Sequence, residues 1–453
     1  MAGQGASPQR EMRRRNLSRV LHAVAEQGPC SRAALATRLG LTRTAVSTLV
    51  EELLRGGLLA EEGTTPPGGA GGGPGRPGTA LALTDRGPCG LGAEIGVDHL
   101  AVCAVDPRGE VRARARLESD GRNSDPVVVL ARLRTLVDEV ARQARELGLR
   151  PVRLAVAVPG LVARGTSTVV RAPNLGWHDT DLAGALAGAG AGAEAEAGVG
   201  VGVGASASAG ERGLPADGGS TRVKGNSTRA GDRSARAEGS AGRALPLIVD
   251  NEANFGALAE LWLDSGRVPR DFVHVSAEVG IGAAVVLSGE LLRGTRGFAG
   301  ELGHVPVHPD GPRCVCGGRG CLEQYAGEVA LLRAAGLRTD GPRDAALTAL
   351  SERAAGGDTR TRDALEEAGT ALGIALAGTV NLLDPRALVL GGALAPLANW
   401  LLPALERELR GRTAAPGVPP ALVVSGLGAE GPLLGAAYAA VRLVLDDPLS
   451  YQA

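Results

Sequence analysis

The chain has 453 residues and a formal net charge of −1 at pH 7, and 44% of its residues are hydrophobic. A chain of this length builds two or three domains, and its near-neutral charge does not mark the whole molecule for nucleic acid or membranes. No signal-peptide core follows the amino terminus, and no uninterrupted apolar stretch is long enough to span a bilayer. We therefore expect a soluble cytoplasmic protein that does not enter a membrane.

The first part of the chain predicts three helices. Ser31 and Thr42 are suited to cap the second and third helices, and Gly40 ends the second just before the third begins. Two helices separated by so tight a turn are typical of a helix-turn-helix. Apolar residues recur at helical spacing in the first and third helices: Leu17, Val20, Leu21 and Val24, then Val46, Leu49, Val50 and Leu53.

A β-hairpin is predicted after the third helix. A short strand starts at Leu58, residues 63–78 form a Gly/Pro-rich linker or wing tip, and residues 79–84 alternate as a second strand. Residues 1–62 also carry nine arginines against six glutamates, which is a local basic surplus. Residues 1–85 therefore predict a winged helix-turn-helix that binds DNA. A protein-binding three-helix bundle with a polar face is the alternative.

The third predicted helix would make the main DNA contacts. Short polar side chains near the amino terminus of such a helix can approach base edges in the major groove. Arg76, in the predicted wing, would reach a phosphate or a minor groove, and it could equally be a solvated residue. The residues expected to contact DNA are Thr42, Arg43, Thr44, Ser47, Thr48 and Arg76.

A long low-complexity segment divides the rest of the chain. Residues 183–244 offer almost no large apolar side chains to offset the entropy of ordering them, so we expect a disordered insertion. On either side, strand and helix patterns alternate as in an α/β protein, which predicts one lobe over residues 90–182 and a second over residues 245–453. The strand patterns fall in residues 91–111, 154–162, 245–262, 271–294 and 387–394.

Three of the six cysteines, Cys314, Cys316 and Cys321, lie within eight positions. Six cysteines are too few and too clustered for a disulfide scaffold in a chain this long, so the cluster predicts a metal site. With a nearby histidine, His304 or His308, the three thiolates form a closed tetrahedral set for structural zinc. Such a set leaves no open position for catalysis. Three ordinary buried thiols are the alternative.

The chain contains four further motifs: AGELGH (299–304), CVCGGRGCLE (314–323), APNLGW (172–177) and DNEAN (250–254). These motifs are similar to those of the ROK family of repressors and sugar kinases, in its winged-helix regulator branch. The resemblance covers nearly the whole chain apart from residues 183–244. It implies an actin-like ATPase (ribonuclease H-like) fold, the two-lobed sugar-kinase fold, with a sugar bound in the cleft between the α/β lobes.

The resemblance also implies which residues contact the sugar. Carboxylates, amides and imidazole form directional hydrogen bonds with hydroxyl groups, and we expect these side chains on turns after strands. The Gly-His of the family favours His304 over His308 as the fourth zinc ligand. For each residue, a hydrogen bond within a strand end is the structural alternative. The expected sugar-binding residues are Asn174, Asn251, Glu252, Glu301, His304 and Glu323.

The same resemblance argues against kinase activity. The base of the family's kinases is an aspartate, whereas this chain has Glu252, whose extra methylene moves the carboxylate by roughly 1 Å. The two phosphate-binding loops correspond to Glu94–Asp98 and Glu278–Gly280, so carboxylates replace phosphate donors and would repel a polyanion. We expect no catalytic residue, and an ATP-dependent sugar kinase remains the alternative.

Together, these features predict a sugar-responsive transcriptional regulator, most simply a repressor. A homodimer or homotetramer would present two recognition helices to a pseudo-palindromic operator. A sugar or sugar phosphate bound between the lobes would change the spacing of those helices, provided that it binds one lobe arrangement better than the other. Structural zinc, the expected cofactor, would fix the sugar-reading residues that flank the cysteines.

Overall fold

The structure, a computed structural model, describes residues 8–64, 79–187, 189, 245–263, 267–339, 343–414 and 419–451. Two short 3-10 helices lie at Leu302–His304 and Gly428–Glu430. The α-helices of these ranges are α1 Pro8–Gln27, α2 Arg32–Leu39, α3 Arg43–Arg55, α4 Pro126–Glu146, α5 Leu182–Ala185, α6 Glu252–Leu263, α7 Glu323–Ala326, α8 Glu328–Ala334, α9 Arg343–Ala355, α10 Thr359–Leu383, α11 Leu394–Arg412, α12 Gly431–Asp446 and α13 Pro448–Tyr451. The strands are β1 Leu59–Thr64, β2 Thr79–Leu83, β3 Gly87–Ile95, β4 His99–Val105, β5 Val111–Glu118, β6 Leu149–Val158, β7 Leu161–Val162, β8 Thr168–Ala172, β9 Trp177–Asp181, β10 Leu247–Asn251, β11 Phe272–Ala277, β12 Ile281–Leu287, β13 Glu290–Leu291, β14 Ala387–Gly392 and β15 Ala421–Val424.

The first three helices fold as the sequence predicts, with the expected caps at their ends. The Ser31 hydroxyl accepts a hydrogen bond from the amide of Ala34 (3.2 Å), and the Thr42 hydroxyl accepts one from the amide of Ala45 (3.2 Å). Gly40 ends α2 in the left-handed conformation, with φ of 64°. The helical faces predicted from apolar spacing are the buried ones: Leu17, Val20, Leu21, Val24, Val46, Leu49, Val50 and Leu53.

The predicted hairpin is present as the antiparallel pair β1–β2, with Leu59 opposite Leu83. β1 runs as far as Thr64, two residues into the predicted Gly/Pro-rich linker. Residues 65–78, which include Arg76, lie outside the described residues, and the DNA contact expected of Arg76 stays a prediction.

Two five-stranded sheets with the same strand order form the core of the rest. The first has the order β5-β4-β3-β6-β10 and the second the order β13-β12-β11-β14-β15. In each sheet the first three strands pair antiparallel and the last three pair parallel. A small sheet of β7, β8 and β9 follows the first. Each lobe therefore repeats one plan, an antiparallel meander extended by two parallel strands.

Helices cover both sheets, and two of the helices lie between them. α4 covers one face of the first sheet, and α10 and α11 cover one face of the second. Phe255 of α6 is buried with Ala155 of the first sheet, and Ala257 of α6 is buried with Val389 of the second. α6 thus contacts both lobes. No helix in the described part of the chain has the length and hydrophobicity that a membrane crossing requires.

The lobe boundaries differ from those expected from the sequence. β10 pairs with β6 and completes the first sheet, instead of opening the second lobe at residue 245. α12 also packs on the first sheet: a Cβ added at Gly92 of β3 would lie 2.5 Å from the amide nitrogen of Ala437. The second sheet therefore begins at β11 and ends at β15. Local patterns identify strands, but long-range pairing decides which sheet each strand joins.

The low-complexity segment also begins later than expected. α5 includes residues 183–185, and Leu186 and Ala189 are buried in the first lobe with exposures of 5% and 1%. Apolar burial therefore extends the first lobe beyond residue 182. Residues 190–244 of the expected insertion lie outside the described residues.

The helix-turn-helix is fastened to the first lobe at two places. Val444 and Leu445, at the end of α12, belong to the same buried cluster as Leu17 of α1. Arg108, in the β4–β5 turn, donates from Nε to the carbonyl of Leu83 at the end of β2 (2.6 Å). The DNA-binding module and the first lobe therefore share a core.

Candidate functional site

A cavity of about 220 Å³ opens between the two lobes, and all six residues predicted to bind sugar line it. Pockets for drug-sized ligands usually have volumes from about 300 Å³ upward, so this smaller cavity suits a molecule of monosaccharide size. We call this part of the cleft the sugar end. Its predicted residues are Asn174, Asn251, Glu252, Glu301, His304 and Glu323.

The AGELGH motif presents two of these residues by lying directly against β12. A Cβ added at Gly300 would fall 2.1 Å from the carbonyl oxygen of Ala283, and one at Gly303 would fall 2.3 Å from that of Ile281. Only glycine permits so close an approach of two backbones. Glu301, between the two glycines, lines the cavity. It does not follow a strand, so the expected position on a turn after a strand is wrong for this motif.

The DNEAN motif builds the opposite wall around a buried carboxylate. Asp250 accepts hydrogen bonds from the amide of Asn251 (2.8 Å) and from Nδ2 of Asn254 (2.6 Å), and it pairs with Arg293 (2.9 Å). Asn251 Nδ2 donates to the carbonyl of Gly160 (2.9 Å). The Asn251 side chain therefore also has a structural role, because it already donates one hydrogen bond within the protein. This is the alternative to sugar binding that the sequence left open.

Glu323 and Asn174 meet across the cavity floor. A Cβ added at Gly280 would lie 2.2 Å from Glu323 Oε2 and 3.9 Å from Asn174 Nδ2. The glycine of the β11–β12 turn therefore makes room for the carboxylate, and a side chain there would displace it. A carboxylate acceptor and an amide donor this close suit a polyhydroxyl ligand.

Four side chains of the GHVPVHPDGPRCVCGGRGCLE stretch converge on one point. The ligand atoms of His304, Cys314, Cys316 and Cys321 all lie within 4.8 Å of one another. His304 Nδ1 is 3.7 Å from Cys314 Sγ, and Cys316 Sγ is 3.7 Å from Cys321 Sγ. Ligands about 2.3 Å from a tetrahedral zinc ion are themselves roughly 3.8 Å apart. The donor set fits zinc in chemistry and in spacing.

The same stretch is closed by backbone pairing that joins its two ends. Pro306 and Cys321 form an antiparallel bridge, and the amide of Leu322 donates to the carbonyl of Val305 (2.9 Å). His304 also lies 3.8 Å from Glu301 through Nε2, so its imidazole faces the cysteines on one side and the sugar end on the other. The metal cluster and the sugar end share a residue.

His308, the rival fourth ligand, does not join the cluster. Its ring packs on Tyr325 with a centroid separation of 5.3 Å. Its carbonyl oxygen would be 1.6 Å from a Cβ at Gly320, which has φ of 63°. The tight turn around this glycine carries the chain from His308 back to Cys321.

The two turns predicted to replace phosphate-binding loops carry charged residues that are paired within the chain. We call this part of the cleft, formed by residues 94–98 and 278–280, the phosphate end. Asp98 Oδ1 lies 2.7 Å from His99 Nδ1, and this hydrogen bond lowers the pKa of Asp98. Although burial opposes it, hydrogen bonding to Asp98 and Glu94 raises the pKa of His99 to about 9. Glu278 pairs with Arg343.

Glu252 lies at the boundary between the two ends of the cleft. Burial and, after it, the neighbouring carboxylates of Glu278 and Glu94 raise its pKa to about 8. A protonated carboxyl at neutral pH can donate a hydrogen bond to a sugar oxygen. A pKa near neutrality does not itself prevent base catalysis. The phosphate end, rather than Glu252, therefore decides whether phosphoryl transfer is supported.

The predicted DNA-contacting residues cluster at the amino end of α3. Arg43, Thr44 and Thr48 are exposed, and Ser47 is half-buried. Thr42 acts as the cap of α3, and the Thr48 hydroxyl donates to the carbonyl of Thr44 (3.2 Å). Arg43 thus projects from the first turn of the helix beside three short polar side chains, which suits a groove-facing surface.

Sequence reasoning missed two arginines of the cleft. Arg171, on β8, lines the sugar end, and its Nη2 lies 3.4 Å from the carbonyl of Val315 in the cysteine loop. Its place at the end of a strand just before APNLGW could have indicated it. Arg343 begins α9, far along the chain from both turns of the phosphate end, and no local pattern marks it.

A second cavity, of about 460 Å³, lies between the helix-turn-helix and the first lobe. Its lining includes Val24, Trp262 and Tyr438. Its polar members Arg108 and Glu62 already pair with each other at 2.5 Å. We assign no ligand to this cavity.

Two family models match the chain: the ROK family over residues 90–224 and 240–442, and the MarR family over residues 17–68. The xylose repressor of Bacillus spizizenii is 25% identical over 434 residues, which cover 95% of this chain and 96% of that protein.

Solved structures support the same fold. The crystal structure of a ROK family transcriptional regulator, a homologue of the E. coli MLC protein, superposes with a TM-score of 0.67 at 23% identity over 97% of this chain and 98% of that chain. A ROK family glucokinase from Streptomyces griseus, solved with glucose and AMPPNP, gives a TM-score of 0.57 at 23% identity over 78% of this chain and 99% of that chain. The chain belongs to the ROK family and carries a MarR-type winged helix-turn-helix in front of a two-lobed, actin-like domain of the sugar-kinase fold.

Proposed function

We propose that this protein is a sugar-responsive transcriptional regulator, most simply a repressor, whose ROK domain binds a sugar without phosphorylating it. The observation that carries the proposal is the unequal cleft. Its sugar end presents polar side chains to a cavity, whereas its phosphate end is closed by ion pairs within the chain. The resemblance to a xylose repressor supports a sugar as the effector.

Loss of kinase activity follows from the electrostatics of the phosphate end. Nucleotide phosphates need a preorganised cradle of donors and positive charge. Here Asp98 and Glu278 occupy the two turns, and the nearby positive groups, His99 and Arg343, are already hydrogen-bonded to carboxylates. A triphosphate would have to break these pairs and approach buried negative charge. Sugar binding without phosphorylation is the chemistry that remains.

The coupling between sugar and DNA would run through α6 and α12. α6 begins at Glu252 in the sugar end, and its Phe255 carbonyl would be 1.9 Å from a Cβ at Gly435 of α12. α12 ends in the core of the helix-turn-helix, where Asp446 lies 2.7 Å from His22. Because these contacts are tight, a change in lobe arrangement would move α12 and α1 together. Transmission does not depend on the glycine-rich linker.

Zinc is part of the proposal. His304, Cys314, Cys316 and Cys321 would hold the ion as a closed four-ligand site, which gives it a structural role. The ion would fix the orientation of His304 and the path of the chain from Glu301 to Glu323. The ion would thereby fix the positions of the residues that contact the sugar without touching the sugar itself.

The partners and location predicted from the sequence complete the proposal. Operator DNA would be bound by α3 of two protomers in a homodimer or homotetramer, because one short recognition helix reads only a half-site. Such a regulator acts in the cytoplasm, where its operator is. The sugar or sugar phosphate that binds the cleft would select one lobe arrangement and so change operator affinity.

The experiment is a titration of the full-length protein with DNA from its own promoter region, with and without sugars. The panel contains D-xylose, D-glucose, N-acetylglucosamine and their phosphates. We expect operator binding that one member of the panel changes at least about fivefold, the lower range of allosteric coupling. Arg43→Ala should weaken operator binding about tenfold and leave sugar affinity unchanged. Operator binding that no sugar alters would overturn the proposal.

A further inference from the structure

The guanidinium of Arg343 lies at the phosphate end, although its helix contributes nothing to the two turns that form that end. Its Nη2 pairs with Glu278 of the β11–β12 turn, and its Nε donates to Glu328 Oε2 at the start of α8 (2.6 Å). The side chain is only 14% exposed. A buried arginine bound to two carboxylates has a defined geometry, since its planar donors fix both partners.

The charge of Arg343 also acts across the cleft. It contributes to the lowered pKa of Asp98, after the hydrogen bond from His99. Burial raises the pKa of Glu278 to about 7, although Arg343 lowers it, and the Glu94 carboxylate contributes to the raised pKa of both Glu278 and Glu252. The phosphate end therefore gathers carboxylates from both lobes around a single guanidinium and the imidazolium of His99.

The same turn that Arg343 holds also forms the floor of the sugar end. Gly280, two residues after Glu278, lies against the Glu323 carboxylate, and Glu252 lies between the two ends of the cleft. Displacing the turn would therefore displace the groups that meet the sugar. Without the guanidinium, Glu278 and Glu328 would each lose a cationic partner, and the carboxylates of the two lobes would repel one another more strongly.

We infer that Arg343 is a positioning residue for the sugar cleft, an internal cation whose ion pairs hold the turn 278–280 of the second lobe in the arrangement that binds sugar. The cation at the phosphate end is thus a side chain of this chain, and it needs no bound nucleotide to hold the turn.

The test uses full-length Arg343→Met, which removes the charge and keeps most of the side-chain volume. Hydrogen–deuterium exchange of residues 278–280 in the sugar-free protein should rise about tenfold, because the turn opens more often without its ion pair. This readout does not depend on the effector. The second readout rests on the proposed function: affinity for D-xylose or D-glucose, whichever binds the wild-type protein, should fall about tenfold.

Two further variants separate positioning from general damage. Glu278→Gln added to Arg343→Met removes the freed carboxylate and should recover most of the lost protection and affinity. Arg343→Lys keeps the charge but not the planar pair of donors, so its losses should be smaller than those of Arg343→Met. Arg353→Met is the matched control on the same helix, since Arg353 pairs with Asp358 away from the cleft.

Equal exchange of residues 278–280 in Arg343→Met and wild type would overturn the inference. So would an Arg343→Lys variant as impaired as Arg343→Met, because positive charge would then not be the cause. If hydrogen–deuterium exchange changes as predicted but neither the wild type nor any variant binds sugar, the result would count against the proposed function and leave the positioning role intact.

Discussion

The two ends of the cleft are built by the same two lobes, yet they differ in how their polar groups are used. At the sugar end, Glu323 and Asn174 face a cavity of about 220 Å³. At the phosphate end, Asp98 is bonded to His99 and Glu278 to Arg343. One end presents donors and acceptors to a cavity, and the other pairs its charges within the chain. On the proposed function, the fold has kept sugar recognition at one end and lost phosphoryl transfer at the other.

The difference also separates two kinds of support. The sugar end adjoins the four candidate metal ligands through His304 and through Cys316 in the cavity lining. The phosphate end contains ion pairs within the chain and shares no residue with these ligands. Changes at the metal cluster should therefore affect sugar binding directly, whereas changes at the phosphate end should act through lobe arrangement.

The largest effect is expected from Cys316→Ser, which removes one ligand of the proposed zinc site. The variant should lose bound zinc, and sugar affinity should fall about 10- to 100-fold, the range seen when groups supporting a metal site are removed. Metal content by mass spectrometry and sugar affinity by calorimetry measure the two outcomes. Operator binding without sugar should remain, because the helix-turn-helix lies elsewhere.

Cys30→Ser is the matched control, since Cys30 is a buried thiol of the helix-turn-helix outside the cluster. It should leave zinc content and sugar affinity at wild-type values. A Cys316→Ser variant with normal sugar affinity after zinc loss would show that the metal does not support the sugar end.

A smaller effect is expected from Glu252→Gln, which tests the boundary between the two ends. The folded protein raises the pKa of Glu252 from 4.5 to about 8, so the folded state holds the proton more tightly than the unfolded state. The stability from this group is complete below pH 4.5 and is lost as the pH rises through 8. Glutamine cannot ionise, so the variant should gain stability relative to wild type at high pH, by on the order of 2 kcal/mol for a partly exposed group.

Thermal unfolding at pH 5 and pH 9 measures this difference. Glu290→Gln, an exposed glutamate of the second lobe, is the control and should show the same pH dependence as wild type. If Glu252→Gln and wild type lost stability in parallel between pH 5 and pH 9, Glu252 would not be a buried, protonated carboxyl.

Much of the fold could be predicted because its signals are local. Caps at Ser31 and Thr42, apolar spacing in α1 and α3, and glycine-interrupted strand patterns each depend on a few neighbouring residues. The convergence of His304 with the three cysteines was also predictable, since the cysteines lie close in sequence and the family motif favoured His304 over His308. These features need no knowledge of which strand pairs with which.

The parts that could not be predicted depend on long-range contacts. The assignment of β10 and α12 to the first lobe follows from pairing with β6 and close packing on β3. Arg343 reaches the phosphate end from α9, which packs on α8, α10 and α11. The hydrogen bonds of Asn251 to its own wall likewise require Gly160, 91 positions away. Sequence spacing carries no information about such contacts.

The central claim, that the cleft binds a sugar but has lost its nucleotide chemistry, is tested most directly by calorimetry on one preparation. The zinc-loaded protein is titrated with the sugar panel and with magnesium ATP, and the mixtures are assayed for sugar phosphate. We predict saturable sugar binding that Asn174→Ala weakens, no heat from ATP, and no sugar phosphate. ATP binding accompanied by phosphorylated sugar would contradict the account.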